Sequence, residues 1–361
     1  TTQKLQYLLQ PSMTETKAGG PATLGSGRRP NVAISGTLMS TTGRPLTQEG
    51  IEELAGLFRL RDYPKPWEPF AQWESYGPAG TVTDDTRFKM IFFHALKSCT
   101  GELPLECFAR SVLDFREEAP PDYHRQYDAW IPEIAFATRW ALGERTGAYP
   151  VERIWGGIPT MAGQMPYLPV AALRPRDPEW CYLKTYELGY FDIGMAKDMN
   201  SALVAGLAAA LQPGGNWTTF EETMRNTDPY RYSEVLYVER QLLKWLDAAH
   251  RWVDASEGNI ARLFRLMEEE LQATYWWESW VPIAVVMACA EMVEYDPLAA
   301  MQLMIEFGHD TDSYAQVMGA VMGAIHGKEV WPAEMRRLVN DRMKEQFGQN
   351  VDDWMKWIDL Y

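Results

Sequence analysis

The sequence predicts an all-α fold. Apolar residues recur at helical spacing in segment after segment, hardly any stretch alternates with the period of two that a half-buried strand requires, and Pro and Gly punctuate the helical segments. From Leu46 onward, Thr47 stands where a cap belongs and Glu49, Glu52 and Glu53 occupy the early turns. Ile51, Leu54, Leu57 and Phe58 then share one face. Over residues 84–98, Phe88, Ile91, Phe92, Ala95 and Leu96 form one stripe. Residues 201–211 make a small-residue helix suited to close packing, and residues 233–251 and 257–274 alternate apolar stripes with charges at helical period. The apolar run Trp280–Met292 is interrupted by Glu291 and is short enough to be a buried helix. Tyr314–His326 completes the set. No repeat of 20–50 residues is present.

At 361 residues the chain can bury a sizeable core, and a hydrophobic content of 46% fits a globular protein. Residues 1–45, rich in Gly, Ser, Thr and Pro, read as an irregular N-terminal arm. Residues 46–361 read as a single all-α domain that carries the chemistry. No apolar run reaches the roughly 18 residues that span a bilayer, so no membrane association is expected. The start Thr1-Thr2-Gln3-Lys4 has no basic segment followed by an apolar one, which leads us to expect a cytoplasmic protein. Four cysteines (Cys99, Cys107, Cys181, Cys289) show no CxxC pair, and reduced thiols are expected rather than a disulfide or a zinc site. A net charge of −15 repels phosphate backbones and disfavours nucleic acid as a partner.

Two acidic segments stand out. Thr83-Asp84-Asp85-Thr86 opens the helix 84–98, and Asp310-Thr311-Asp312-Ser313 follows Gly308-His309 and opens the helix from Tyr314. Carboxylates at a helix start have a simple explanation, since they cap free N–H groups and favour the positive end of the dipole. The second segment asks for more. Its helix carries Gly319, Gly323 and Gly327 at a spacing of four. Each glycine in a helix interior costs roughly 1 kcal/mol against alanine, so a very close helix approach is expected there. If the two segments meet, their carboxylates and hydroxyls form a hard oxygen site suited to Mg²⁺, Mn²⁺ or Ca²⁺ and not to zinc.

These motifs resemble those of the ADP-ribosylglycohydrolase family, in which a T-D-D-T-like segment comes early and a G-[GD]-D-T-D-[TS] segment late, followed by glycines at every fourth position. Glu278-Ser279-Trp280-Val281-Pro282 is similar to the family's segment before the last apolar helix, and the likeness extends more loosely over residues 80–330. The resemblance implies a compact multi-helix orthogonal bundle. It also implies two Mg²⁺ ions (or Mn²⁺) held by Thr83, Asp84, Asp85, Asp310, Asp312 and Ser313, with Asp85 and Asp310 as catalytic carboxylates. The segment Gly156–Met165 takes the place of the family's Gly-rich loop, which implies substrate contacts at Gly157, Thr160 and Gln164; as a plain sequence it is also an ordinary Gly/Pro turn. Ala196-Lys197-Asp198-Met199-Asn200 resembles the family's S-H-D-G-N-A segment and implies further contacts at Asp198 and Asn200, with Lys197 where the histidine is expected.

Elsewhere the pattern departs. Ser35–Pro45 has glycines but lacks the family's Asp, and Thr47 stands near the position of its proton-handling glutamate. The expected function is Mg²⁺-dependent hydrolysis of a glycosidic bond to ADP-ribose or a related ribosyl compound, on a small-molecule or ADP-ribosylated substrate. The alternative is a repurposed family member. Its metal site and a pocket lined by some of the 15 Trp and 17 Tyr would act on a diphosphate-bearing or other specialised-metabolite substrate by lyase or cyclase chemistry. Core packing is the simpler role for those aromatics.

Overall fold

The computed structural model describes residues 79–80, 82–99, 103–118, 132–144, 151–155, 157–272, 274 and 277–361. The N-terminal arm, the helix expected from Thr47 and the segment 35–47 lie outside these residues. Helices follow one another throughout: α1 (Asp84–Ser98), α2 (Leu105–Glu118), α3 (Pro132–Ala141), α4 (Val151–Trp155), α5 (Gln164–Tyr167), α6 (Val170–Leu173), α7 (Pro178–Leu188) and α8 (Met195–Ala210). Then come α9 (Trp217–Asn226), α10 (Gln241–Ser256), α11 (Ile260–Leu271), α12 (Trp280–Met292), α13 (Pro297–Phe307), α14 (Thr311–His326), α15 (Ala333–Phe347) and α16 (Val351–Leu360). Among the described residues there is no strand, only an isolated antiparallel bridge between Thr160 and Glu278. The all-α expectation holds.

Helix α8 is the hub. Every residue from Asp198 to Ala210 is buried, and α7, α9, α10, α12 and α14 all pack against it. Its small side chains allow this, because interaxial distance follows the side chains at the contact. Gly206 marks a close approach between α8 and α9. A Cβ there would lie 2.8 Å from the Phe220 carbonyl oxygen and 2.7 Å from Met224 Cγ, so α9 can sit this close only over glycine. The close approach expected at the α14 glycines is not found at Gly319, where a Cβ would meet only Met301 Cε at 3.9 Å. Gly327 instead ends α14 at φ 81°, a backbone region that glycine enters without a Cβ clash.

Boundaries shift for local reasons. Asn259 caps α11 through the Arg262 N–H, which delays that helix to Ile260, after Glu257 and Gly258 turn at positive φ. The helix expected over 233–251 begins only at Gln241. Before it, Tyr232–Glu234 form one 3₁₀ turn, Tyr237 adopts φ 66°, and Val235, Leu236, Tyr237 and Val238 are exposed. The delay has a cause: Arg240 is drawn into the core, which fixes the chain's entry to α10. One cysteine expectation is corrected as well. Cys99 and Cys107 form a disulfide between the end of α1 and the first turn of α2, their Cα atoms 6.6 Å apart; Cys181 and Cys289 are free and buried. The short α1–α2 connection brings the two thiols together, which spacing alone did not reveal.

Among the described residues, Trp217, Trp245, Trp252, Trp280, Trp331 and Trp354 are buried in the core. Trp245 and Trp280 stack at 3.5 Å across α10 and α12, and Trp354 stacks on Phe93 at 4.6 Å. Beside that core, His250 on α10 bridges Glu291 on α12 (2.6 Å) and Glu221 on α9 (2.8 Å). Hydrogen bonds to Glu221 and Glu291 push its pKa up to about 10 from 6.5. A cation held in this way stabilises the fold fully below pH 6.5 and loses that contribution as pH rises through about 10. His250→Gln should therefore melt below the wild type at neutral pH, with the gap closing above about pH 10, as thermal denaturation across pH would record.

Candidate functional site

Two helix starts converge. Thr83, extended at φ −94° and ψ −172°, leads into α1, whose first turn holds Asp84 and Asp85. At the other start, Gly308 (φ 90°) and His309 (φ 62°) swing the chain sharply from α13 to α14. His309 is anchored by Glu268 at 2.9 Å. Helix α14 begins at Thr311, three residues earlier than expected, so Asp312 and Ser313 lie in its first turn and Asp310 is its N-cap residue.

The carboxylates of Asp84, Asp85 and Asp312 offer oxygens that all lie within 4.8 Å of one another. Ser313 Oγ joins them, donating to Asp85 Oδ2 at 3.4 Å. Thr83, Asp85, Asp312 and Ser313 are buried, while Asp84 is half-buried. Asp310 is half-buried and stands outside the trio. Asp312 Oδ1 is buried without a hydrogen-bond partner among the described residues, an arrangement that is costly unless a cation or donor reaches it. Hard oxygens at two helix N-termini, one of them orphaned, fit a divalent cation of the Mg²⁺ class.

One turn further along each helix lies a second pair. Lys89, 1% exposed, follows Asp85 by four residues, and Gln316 follows Asp312 by four. Lys89 Nζ donates to the Asp85 carbonyl at 3.1 Å and to Gln316 Oε1. Burial lowers the Lys89 pKa to about 8, with Asp85 and Asp84 opposing the fall.

The loop at 157–163 is tied to the segment before α12. Met161 N–H donates to the Trp277 carbonyl at 3.0 Å and Ser279 N–H to that of Pro159 at 2.9 Å. Gln164 Nε2 donates to the Ser279 carbonyl (2.7 Å) and to Asn200 Oδ1 (3.0 Å), and Asn200 Nδ2 donates to Asp192 Oδ2 (3.1 Å). Asp192 Oδ1 accepts from the Gly163 N–H at 3.1 Å, and burial pushes the Asp192 pKa up to about 6. A Cβ on Gly163 would fall 2.1 Å from Asp192 Oδ2, so the close approach needs glycine. Gly157 and Thr160 are half-buried and nearer the surface than Gln164 and Asn200.

Asp198 has an interior role. Arg240 grips it through Nε (2.8 Å) and Nη2 (2.7 Å), and the Tyr182 hydroxyl donates to it at 2.7 Å. Arg240 also bonds the carbonyls of Arg225 and Thr227, so this pair closes the α9–α10 connection over α8. Lys197 donates to the Gly189 carbonyl at 3.1 Å and lies over the Tyr186 ring. Sequence reasoning missed Asp192, Arg240, Lys89 and Gln316. For Lys89 and Gln316 a signal existed: each stands one turn after a motif aspartate. Asp192 and Arg240 are set by tertiary packing and carry none.

A family of all-α, hydrolase-type enzymes accounts for this chain from residue 36 to residue 358, nearly its whole length. That family is ADP-ribosylglycohydrolase, and the chain belongs to it. No curated protein matches the chain.

Removing one partner of a buried ion pair strands the other charge, at about 3–5 kcal/mol. Arg240→Ala is expected to lose stability on that scale in urea denaturation, while a surface change such as Glu329→Ala stays within about 0.5 kcal/mol.

Proposed function

We propose that this chain is a divalent-metal-dependent glycohydrolase, cleaving the glycosidic bond that joins ADP-ribose, or a related ribosyl compound, to its carrier. One observation carries the reading: carboxylates from two distant helix starts stand within 4.8 Å of one another, and an oxygen of Asp312 is buried without a hydrogen-bond partner among the described residues. Asp84, Asp85 and Asp312 are the ligands, with Thr83 and Ser313 adding hydroxyl oxygens and Asp310 at the rim. Mg²⁺ suits this donor set, and Mn²⁺ can replace it. A divalent ion there supplies Lewis-acid polarisation of ribose hydroxyls and lowers the pKa of a bound water. Around it, Asp85 and Asp310 are the carboxylates that take and return the proton. Gly157 and Thr160 line the approach to the sugar, held in place by Gln164 and Asn200 behind them.

A second reading is favoured by one feature. Lys197 and Asp198 occupy the place of the family's His-Asp pair, and both are engaged inside the protein by Gly189, Tyr186 and Arg240. With that pair turned inward, the same metal site would serve a diphosphate-bearing or other specialised-metabolite substrate.

Release of free ADP-ribose from ADP-ribosyl-arginine or ADP-ribosyl-serine separates the two. The first reading expects Mg²⁺-dependent release, reduced on the order of 10³-fold in Asp312→Asn, the loss of several kcal/mol of transition-state stabilisation. No release from either compound, with Mg²⁺ still bound, would transfer the case to the second reading.

A further inference from the structure

We infer that the connection between α9 and α10 is a docking surface for a second copy of this chain, joined two-fold through an apolar tip at residues 235–238. Of the large apolar side chains exposed among the described residues, five of eight lie between Tyr230 and Val238. Tyr230, Val235, Leu236 and Val238 are 51–77% exposed, and Tyr237 is fully exposed. Together they present roughly 600 Å² of side chain per copy. Monomers rarely leave a contiguous apolar patch of that size uncovered. Tyr237 also adopts φ 66°, a costly backbone conformation for a residue with a bulky side chain. Its exposed ring gains nothing from the described residues that would offset that cost.

The tip is held ready for a partner. At its start, Asp228 accepts from the Tyr232 N–H (2.8 Å), the Ser233 N–H (2.8 Å) and the Ser233 hydroxyl (2.6 Å), and Tyr230 packs on the Tyr186 ring at 4.3 Å. At its end, Arg240 is fixed on Asp198. A surface ordered in advance loses little freedom on binding. Charge selects the occupant. The chain carries a net charge of −15, and the exposed Glu234 and Glu239 flank the apolar residues, so anionic lipid and nucleic acid are repelled. The same stretch also carries a cation: Arg231 is exposed and lies 3.6 Å from Glu234. Around a two-fold axis each copy can offer its Arg231 to the Glu234 of the other, which makes the tip complementary to itself. A pair would cover about 1,200 Å², the low end of specific interfaces, and association in roughly the micromolar range follows.

The test is sedimentation velocity of the full chain over a concentration series. We expect a reversible dimer in the wild type, and self-association weakened on the order of 100-fold in Leu236→Asp and in Tyr237→Asp. Both positions are exposed, so the helical circular dichroism of these variants should match the wild type. Arg231→Glu and Glu234→Arg should each weaken the dimer as well. An equimolar mixture of the two should restore it, because both ion pairs across the axis are then re-formed with their signs exchanged. A wild type that stays monomeric throughout, whether or not it sediments with phosphatidylcholine vesicles, would overturn the inference. Dimers that persist undiminished in both Asp variants would overturn it too, because the contact would then lie elsewhere. A mixture of the charge variants that remains monomeric would overturn the two-fold arrangement and the inference with it.

Discussion

Carboxylates crowded within 4.8 Å of one another repel, and much of this fold can be understood as what holds three of them there. Both motifs sit in the first turns of helices, where unpaired N–H groups and the dipole favour negative charge. Ser313 adds a hydroxyl and the Lys89 ammonium lies one turn deeper. These contributions ease the repulsion, while Asp312 Oδ1 stays without a hydrogen-bond partner among the described residues. The two positive-φ residues before α14 matter for the same reason: without the turn at Gly308 and His309, that helix would not start beside α1.

Behind the site, rigidity comes from polar groups buried against a small-residue hub. Helix α8 contributes Asp198, clamped by Arg240 and Tyr182, and Asn200, which links Asp192 to Gln164. Gln164 in turn holds the carbonyl of Ser279, just before α12. The loop at 157–160 is therefore supported from beneath by side chains whose own partners are fixed, as a site must be if it is to orient a sugar. Close approaches over glycine recur in this framework, among them Gly163 under Asp192 and Gly206 under α9.

How much of this could be read beforehand depended on whether a feature was local. Helices α1 and α12 were legible at their full bounds because stripe and apolar run are properties of the segment itself. The acidic motifs were legible because their residue types and helix-start positions are local too, and Asp84, Asp85 and Asp312 do meet. At Gly319 the spacing misled, since no close crossing lies over it, and the last glycine of the series, Gly327, ends the helix. The stretch 233–240 looked helical because its charges and apolar residues keep the period. Its conformation is decided instead by Arg240 reaching Asp198, a partner 42 residues away. The Asp192 network depends likewise on which helices lie side by side, and no local pattern encodes that.

The central claim is that Asp84, Asp85 and Asp312 are metal ligands. Its most direct test is anomalous diffraction from crystals of this protein grown with Mn²⁺. The account predicts an anomalous peak among these three carboxylates, with oxygens at about 2.0–2.6 Å, the range of hard-cation coordination. Crystals in which no peak appears there at saturating Mn²⁺, with Asp312 Oδ1 satisfied by a protein donor or water, would contradict it.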